Sequence, residues 1–299
     1  RFMFDWPVTS LIIAFCVGGV VGFLSGLFGV GGGFLLVPFL NAALGIPMTF
    51  AVGSTACYTI GPATAALLAK KPSIGYIQLP LILAGGLFVG VWAGEHSLDS
   101  LQVMETITLF GRSLPSVDLM VLSSYAVLMT GISAASLWDA LSSGTSQGVR
   151  RRGLFAQVRL RPVTDIPDLR PSQHSIPLLA WTGVAVGFLS GFLGMSGGLV
   201  LVPAAVYLLG LRVHAATTIT IVVVWIVSVQ STILHALHGN VQLPLVGALL
   251  LSGTIGASVG AQVGSKLPAS RLKLGFGLLV LVSAGIVFVK LWILWQSAA

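Results

Sequence analysis

Long apolar runs separated by short polar segments dominate the chain, and two of these runs are too long for one straight crossing of a membrane. Val8–Leu44 is almost uninterruptedly apolar for 37 residues, and Ile176–Leu211 repeats the pattern. As one helix the first run would be about 55 Å long at about 1.5 Å per residue, whereas the hydrocarbon core of a bilayer is about 30 Å thick. Each run must therefore break, and the glycine cluster Gly29–Gly33 marks the break in the first run.

Three helix-length apolar runs follow each broken run. They cover about 48–69, 76–94 and 115–137 in the first half, and 213–237, 243–263 and 272–295 in the second half. An acidic patch of Glu95, Asp99 and Glu105 follows the run that ends at Gly94. The pattern predicts an all-α polytopic membrane protein in which each half contains a glycine-broken helical hairpin and three transmembrane helices.

Composition supports a membrane protein and excludes several classes. Hydrophobic residues make up 56% of the chain and charged residues 8%, whereas a soluble domain carries about 25% charged residues. The net charge of +7 comes mostly from Lys and Arg in short segments between the runs, which is typical of topology signals and not of a nucleic-acid partner. The two cysteines, Cys16 and Cys57, form no metal-binding or disulfide pattern, so we expect no metal and no cofactor, with membrane lipid as the surroundings.

The two halves are related by an internal repeat. The segment Gly22–Pro38, GFLSGLFGVGGGFLLVP, recurs 165 residues later at Gly187–Pro203 as GFLSGFLGMSGGLVLVP, with 11 of 17 positions identical. Because the first run has this counterpart and no cleavage-like site, we interpret it as structure and not as a signal peptide. We therefore divide the chain into a first transmembrane repeat at 1–138, a basic connector at 139–174 that contains six arginines, and a second transmembrane repeat at 175–299.

The distribution of Lys and Arg indicates how the halves are oriented. If each broken run turns back, each half crosses the membrane an odd number of times and the repeats are inverted. In that arrangement 12 of the 15 Lys and Arg lie on the side of the connector, whereas single crossings divide them 10 to 5. The positive-inside rule therefore favours inverted repeats, with the connector in the cytoplasm and both termini in the periplasm.

Inverted hairpins would bring their glycine tips together near the middle of the membrane. Each tip leads into a helix start, where backbone N–H groups are unpaired and carry about half a positive charge. Glycines let a small oxyanion approach these donors closely, and neutral hydroxyls in the following helices could assist. The candidate substrate-binding residues are Gly31, Gly32, Gly33, Phe34, Ser54, Thr55, Ser196, Gly197, Gly198, Leu199, Thr220 and Gln230.

Other interpretations of the same residues stay open. Glycines in membrane helices often serve close packing, which we prefer for Gly22, Gly26, Gly187, Gly191, Gly256 and Gly260. Membrane Ser and Thr usually bond their own helix backbone, and His214, His235 and His238 lie near run ends, as interfacial residues do.

An enzyme is a second alternative. Gly194–Gly197 reads GMSG and resembles the GxSG motif of rhomboid-type intramembrane serine proteases, with His235 or His238 as a base. The aligned position in the first repeat is Gly31, so the shared requirement is glycine and we expect no catalytic residue. A channel and a membrane-embedded scaffold also stay open.

The paired motifs resemble those of a known family. GLFGVGGGFLLVP at Gly26–Pro38 and GFLGMSGGLVLVP at Gly191–Pro203 are similar to the duplicated signature of the TauE/SafE family of sulfite and organosulfonate exporters. The resemblance implies a bacterial inner-membrane carrier for sulfite or a C2–C3 sulfonate such as sulfoacetate. The connections Ser97–Leu119 and Asp139–His174 are longer than we expect for the family, and a homodimer stays open.

The transport direction follows from the energetics of an anion. We expect alternating access by rocking of one half against the other. An inside-negative potential favours anion exit by about 2.3 kcal/mol per charge per 100 mV, so an exporter needs no coupling ion. Import, or a channel for another small anion, is the alternative. Import would need a coupling ion, and no acidic residue lies at the centre of a predicted transmembrane run.

Overall fold

The computed structural model describes residues 8–72, 74–104, 106–109, 112–142, 160–165 and 173–297. Within these ranges the chain is almost entirely helical, which confirms the predicted all-α class. The first half contains α1 Val8–Phe28, α2 Gly33–Leu44, α3 Met48–Lys70, α4 Ile74–Val103 and α5 Ser116–Ser142. The second half contains α6 Ile176–Leu193, α7 Gly198–Tyr207, α8 Val213–Leu237, α9 Leu243–Lys266 and α10 Ala269–Ser297.

Two short antiparallel hairpins lie in the connections between helices. β1 Thr106–Leu109 pairs with β2 Arg112–Pro115 between α4 and α5. β3 Val163–Asp165 pairs with β4 Gln173–Ser175 just before α6. Most of the arginine-rich part of the predicted connector, at 143–159 and 166–172, lies outside the described residues.

Seven of the described helices are long and apolar enough to cross a membrane: α1, α4, α5, α6, α8, α9 and α10. The protein is therefore a multi-pass membrane protein. Helix α3 has a comparable length of 23 residues but is more polar, since it carries Ser54, Thr55 and Thr59. Helices α2 and α7, with 12 and 10 residues, are too short to span about 30 Å of hydrocarbon.

The two halves pack on each other through equivalent glycine contacts. A Cβ atom placed on Gly22 of α1 would lie 2.2 Å from the carbonyl oxygen of Gly253 in α9. At the equivalent position of the second half, a Cβ on Gly187 of α6 would lie 2.5 Å from the carbonyl oxygen of Leu87 in α4. Such distances leave room only for hydrogen, so the helix backbones are in direct contact.

The reciprocal contacts agree. A Cβ on Gly256 would lie 2.2 Å from Gly19 O, and a Cβ on Gly90 would lie 2.2 Å from Val184 O. The packing interpretation is therefore confirmed for the whole set that the sequence assigned to packing: Gly22, Gly26, Gly187, Gly191, Gly256 and Gly260.

The first broken run reverses direction at its glycine cluster. A Cβ on Gly32 would lie 2.8 Å from Val21 Cγ1, so α2 begins beside the last turns of α1 and not beyond its end. The Phe28 ring lies 6.0 Å from the Phe276 ring of α10, whereas the Asn41 carbonyl oxygen accepts a hydrogen bond of 3.3 Å from Lys290 Nζ. These two sites on α10 are about four turns apart, or about 21 Å, so α2 runs back toward the side where α1 begins.

The second broken run reverses in the same way. A Cβ on Gly197 would lie 2.7 Å from Val186 Cγ1, which places the start of α7 beside α6. At the other end of α7, the Tyr207 hydroxyl donates a hydrogen bond of 3.3 Å to Asp139, which also pairs with Lys273. Lys273 lies near the Phe276 end of α10. Helices α2 and α7 therefore end at opposite ends of α10.

Three boundaries differ from those predicted by the sequence. Helix α4 continues to Val103, so Glu95 and Asp99 belong to the helix and do not form a patch after it. The part of the Ser97–Leu119 connection outside helices therefore shrinks to 104–115, most of which belongs to the β1–β2 hairpin. Helix α5 extends to Ser142, beyond the predicted boundary at 138.

Candidate functional site

The two glycine tips meet inside the protein. A Cβ on Gly33, the first residue of α2, would lie 2.8 Å from the Gly194 carbonyl oxygen at the other tip. A Cβ on Gly198, the first residue of α7, would lie 2.0 Å from the Val30 carbonyl oxygen. Each tip thus packs on the first residue of the opposite short helix. The structure therefore brings together the two clusters that the sequence singled out.

Both tips follow the same left-handed backbone path. In the first tip φ is +73° at Gly29, +83° at Gly31 and +73° at Gly32. The second tip has φ of +67° at Gly194 and +71° at Gly197. Its third left-handed position is Ser196, with φ of +54°. Left-handed backbone explains the need for glycine at most of these positions, because a Cβ there is strained.

The starts of α2 and α7 have no side-chain caps. Gly32 and Gly197 hold the N-cap positions, and neither helix start donates a backbone N–H hydrogen bond to a capping side chain. The first backbone hydrogen bonds of α2 are donated by Leu35 and Leu36 to Gly32 O. In α7 the corresponding bond runs from Leu201 to Gly197 O. The N–H groups before these residues, including those of Phe34 and Leu199, have no acceptor within their helices and point toward the tips.

Helices α3 and α8 each place one face against the tips. On α3, Val52 packs on Gly194, and Thr59 packs on Gly31. Thr55 is three residues from Val52 and four from Thr59, so it lies on the same helical face, between the contacts with the two tips. Its side chain is buried, and Thr55 Oγ1 has no hydrogen-bond partner within the described part of the chain.

Helix α8 repeats this arrangement at equivalent positions. The carbonyl oxygen of Thr217 packs on Gly29, and the side chain of Val224 packs on Gly31. Thr220 lies between them on the same face. Thr220 Oγ1 is also buried, again with no partner among the described residues. Two related threonine hydroxyls therefore lie on the helix faces that line the tips, without hydrogen bonds.

The remaining hydroxyl predicted at the tips has a partner. Ser196 Oγ accepts a hydrogen bond of 2.9 Å from Ser228 Oγ, and both residues are buried. On the α6 arm of the same hairpin, Ser190 Oγ is buried and has no partner in the described ranges. The second tip is thus richer in hydroxyls than its predicted residues suggested.

Two of the predicted residues lie away from the tips. Ser54 Oγ accepts a hydrogen bond of 3.0 Å from the Gln242 backbone N–H and so fixes the turn before α9. Gln230 Nε2 donates a bond of 3.0 Å to Phe88 O of α4. Ser54 is next to Thr55 in sequence but lies on another side of α3, and Gln230 lies six residues after Val224, on the side of α8 that contacts α4. The sequence could not separate the faces, because the apolar residues of these helices show little periodicity.

Two residues that support the tips, Thr59 and Tyr125, are not among the predicted site residues. Thr59 packs directly on Gly31, although its own hydroxyl bonds Thr55 O at 2.8 Å. Tyr125 of α5 is fully buried and donates a hydrogen bond of 2.7 Å to Leu193 O, the last carbonyl of the α6 arm. A tyrosine in an apolar run was the available signal, because a buried hydroxyl needs an acceptor.

A cavity opens beside the first tip, at the end of the protein where α10 begins. Its walls are mainly apolar and come from α5, α7, α8 and α10, together with Phe28 at the end of α1. Thr217 and Lys273 add polar groups. Lys70 Nζ donates a hydrogen bond of 3.1 Å to Thr217 Oγ1, and Thr217 also contacts Gly29. The cavity therefore extends from the Lys273–Asp139 pair to the first tip, and Lys70 bonds Thr217 in its wall.

The serine of the GMSG motif and the two histidines are arranged in separate groups. Ser196 bonds Ser228, whereas His235 and His238 lie beside Glu95. The described residues contain no group of three or more His, Cys, Asp or Glu placed to hold a metal ion.

Comparison with known proteins agrees with this architecture. The family described as "Sulfite exporter TauE/SafE" matches residues 3–111 and 106–287, which is nearly the whole chain. The chain belongs to the TauE/SafE sulfite exporter family. The resemblance of the paired glycine motifs is thereby confirmed, and the family is one of membrane transporters.

The alignments with individual relatives extend over most of both chains. A "Probable membrane transporter protein" of Xylella fastidiosa (strain Temecula1 / ATCC 700964) is 24% identical over 296 residues, 98% of each chain. "Probable membrane transporter protein YunE" of Bacillus subtilis (strain 168) is 22% identical over 270 residues, 88% of this chain and 92% of the relative. No solved structure matches this TauE/SafE chain.

Proposed function

We propose that this TauE/SafE protein exports a small sulfur-containing anion, either sulfite or a C2–C3 sulfonate such as sulfoacetate, and that the anion binds at the glycine tips. The observation that carries the proposal is the convergence of two uncapped helix starts with two unpartnered threonine hydroxyls. The role is that of a carrier and not of an enzyme.

The chemistry of the tips suits an oxyanion. Each helix start contributes about half a positive charge and several free N–H donors. Thr55 and Thr220 add neutral donors, and their buried hydroxyls gain a hydrogen bond when an anion arrives. Because all these donors are uncharged, they can hold a monovalent or divalent anion without trapping it as strongly as a buried cation would.

The tips must separate to admit a substrate. In the structure Gly33 and Gly198 contact the opposite tip, so the space between the tips is filled. The cavity beside Phe28 offers a route to the first tip from one side. Lys70, bonded to Thr217, can attract an anion there, whereas the charge of Lys273 is paired with Asp139. Alternating access then consists of opening the tips first to one side and then to the other.

The glycine contacts argue against the expectation that one sequence half rocks against the other. Helix α1 packs backbone to backbone on α9, and α6 packs in the same way on α4. Each contact joins one sequence half to the other, so the halves cannot rock as independent bodies. We propose that one body contains α1 and α9 and the other contains α4 and α6, with the tips between them.

The proposed topology is inverted. Support comes from the opposite ends of α10 at which α2 and α7 finish, near Lys290 and near Lys273. With the basic connector in the cytoplasm of a bacterium, the termini lie in the periplasm. The membrane potential then drives anion exit by about 2.3 kcal/mol per charge per 100 mV.

Thermal-shift binding with Thr→Val variants tests the site. Purified protein is melted in the presence of sulfite, sulfate, thiosulfate, sulfoacetate, taurine and acetate. We expect stabilisation by one sulfur anion. Thr55→Val and Thr220→Val should each lose affinity by about tenfold to a hundredfold, because a hydrogen bond to a charged group contributes about 1.5–3 kcal/mol.

Thr254→Val is the matched control. Its hydroxyl bonds Leu250 O of its own helix and lies in α9, so affinity should not change. If Thr55→Val and Thr220→Val bind the anion as tightly as Thr254→Val, the substrate does not use these hydroxyls and the tip site is wrong. If no sulfur anion stabilises the parent protein, the substrate class is wrong.

A further inference from the structure

A buried cluster of ionisable side chains lies between α4 and the end of α8. Glu95 Oε1 is 3.4 Å from His235 Nδ1 and 3.4 Å from His238 Nδ1. The Glu95 side chain is 3% exposed and the His235 side chain 0% exposed. The sequence predicts an interfacial His235 and an acidic patch after the run that ends at Gly94. Glu95 and His235 do lie near run ends, but their burial against each other between α4 and α8 was not predicted.

Glu95 and His235 need a proton between them to avoid a buried net charge. Neither carboxylate oxygen of Glu95 nor either ring nitrogen of His235 has a well-directed hydrogen bond within the described chain. A lone buried charge costs several kcal/mol, so Glu95 and His235 together are neutral only when they share one proton. The two groups titrate as a coupled pair, and the proton can reside on either of them.

Two more exposed groups connect this pair to the protein surface. The side chain of His238 is 49% exposed, and its Nδ1 atom is also 3.4 Å from Asp99 Oδ2, whose side chain is 30% exposed. Exposure thus falls stepwise from His238 and Asp99 to Glu95 and then to His235. This order of groups is suited to passing a proton from water to a buried position.

The other ionisable groups on the surrounding elements are directed elsewhere. His96 of α4 stacks on Trp92 with ring centroids 5.7 Å apart. Helix α6 carries no ionisable side chain, and α3 carries its only charge, Lys70, at its far end. The remaining titratable neighbours are Tyr58, which bonds Gly18 O, Tyr125, which bonds Leu193 O, Cys57 of α3, and Asp118 of α5, whose charged neighbour is Lys290.

The buried pair lies directly against the second hairpin. A Cβ on Gly191, three residues before the turn at Gly194, would lie 3.1 Å from the Glu95 backbone nitrogen. A Cβ on Gly53 would lie 3.1 Å from His235 Cβ, and the adjacent Val52 packs on Gly194. Both members of the pair therefore touch the elements on which the second tip rests.

From this geometry we infer that Glu95, His235 and His238 form a proton-binding site, and that its occupancy is coupled to the position of the second hairpin. A proton passes from water through His238 to the Glu95 carboxylate. When the second tip moves, the body that contains α4 and α6 shifts against α8, which carries His235. The contact between Glu95 and His235 then changes, and with it the proton affinity of the pair. The coupling, but not the existence of the proton site, rests on the proposed transport function.

Infrared difference spectroscopy tests the proton site without any anion. Spectra of the full purified chain are recorded while the pH is raised from acidic to alkaline. Because the other seven side-chain carboxyl groups also absorb when protonated, the spectra of Glu95→Gln are subtracted from those of the parent at each pH. We expect the difference to contain one C=O stretch of a protonated carboxylic acid, which disappears as the pH rises. His96→Gln is the matched control on the same helix, and it should keep the band and its midpoint.

His235→Gln provides a second measurement in case Glu95→Gln does not fold, which size-exclusion chromatography and melting would show. Removing the neighbouring imidazole should shift the midpoint of the carboxyl band. If the spectra of Glu95→Gln and the parent coincide, or if His235→Gln leaves the parent midpoint unchanged, the proton site is wrong.

Liposomes that contain the protein test the coupling. Sulfoacetate, whose charge does not change near neutral pH, is added at a fixed membrane potential while a pH-sensitive dye reports proton movement. We expect proton movement in the parent and in His96→Gln, and its loss in Glu95→Gln. Sulfoacetate transport without proton movement would overturn the coupling. Absence of sulfoacetate transport alongside a titrating Glu95 band would instead count against the proposed substrate.

Discussion

The two hairpin tips share one backbone path but differ in chemistry. Gly29, Gly31 and Gly32 in the first tip are left-handed, as are Gly194, Ser196 and Gly197 in the second. Yet the second tip carries a serine hydroxyl bonded to Ser228, at the position where the first tip has only glycine. The shared shape is what two contacting helix starts require, whereas the side chains at equivalent positions are free to diverge.

The same contrast extends to the ends of α3 and α8. Lys70 and His235 are separated by the 165 residues of the repeat, and so occupy equivalent positions. Lys70 bonds Thr217 beside the cavity, whereas His235 lies against Glu95. In the two proposals above, one end of the protein offers a cation to an anion, and the other holds a group that exchanges protons. A symmetric scaffold therefore supports an asymmetric distribution of charge.

The largest effect is expected where the tips touch. Gly198→Ala would place a Cβ 2.0 Å from Val30 O, and Gly33→Ala would place one 2.8 Å from Gly194 O. Gly198→Ala should destabilise the fold by about 3 kcal/mol or more, because its contact is the shorter of the two and backbone atoms cannot yield as side chains do. Gly33→Ala, at the longer distance, should cost about 1–3 kcal/mol. Thermal melting of purified variants measures the difference.

Gly247→Ala is the control for both variants, since no atom lies within 4 Å of its Cβ position. It should melt at or above the parent temperature, because alanine favours helix over glycine by about 1 kcal/mol. Equal melting temperatures for Gly198→Ala and Gly247→Ala would show that the tips are not packed as described.

A smaller and symmetric effect is expected at the contacts between helices. Gly22→Ala meets Gly253 O at 2.2 Å, and Gly187→Ala meets Leu87 O at 2.5 Å. Each should cost about 1–3 kcal/mol, and the two losses should agree within about 1 kcal/mol, because the contacts are equivalent. Chemical denaturation of the two variants measures both costs. If only one of the two variants lost stability, the two helix contacts would not be equivalent.

The smallest effect is expected from exchanging the residues that distinguish the tips. Ser196→Gly relieves a left-handed serine, a gain of about 1 kcal/mol, but loses the hydrogen bond from Ser228, a cost of about 1 kcal/mol. Stability should therefore change little. Gly31→Ser should lower the stability more than Ser196→Gly does, since a Cβ at Gly31 would lie 2.7 Å from Val224 Cγ1. Melting of the two variants side by side shows whether they differ in this order.

The sequence was informative where structure depends on backbone space. Glycines repeated at the same spacing indicated the helix contacts of Gly22 and Gly187, and adjacent glycines indicated the breaks before Phe34 and Leu199. These features are local or repeated, so one chain displays them. They also reveal the family, whose signature consists of the same glycines.

The sequence did not predict the features of the site that depend on which helix faces pack against each other. Glu95 follows Gly94 in what reads as the end of an apolar run, and only the packing of α8 on α4 shows that it is buried. Gln230 and Thr220 look alike as polar residues of one apolar helix, yet one bonds α4 and the other faces the tips. When a helix is apolar on all sides, its sequence pattern does not show which face packs on a given neighbour.

The pairing of α1 with α9 and of α4 with α6 has a consequence for how such a protein could arise. Each repeat presents the glycine-lined face of its first helix to a partner in the other repeat, so neither repeat alone covers that face. A single-repeat ancestor with this pattern would have had to assemble from two copies lying in opposite directions in the membrane. In such a history, fusion of the two genes would have made that pairing permanent and would have let each copy acquire its own ionisable residues.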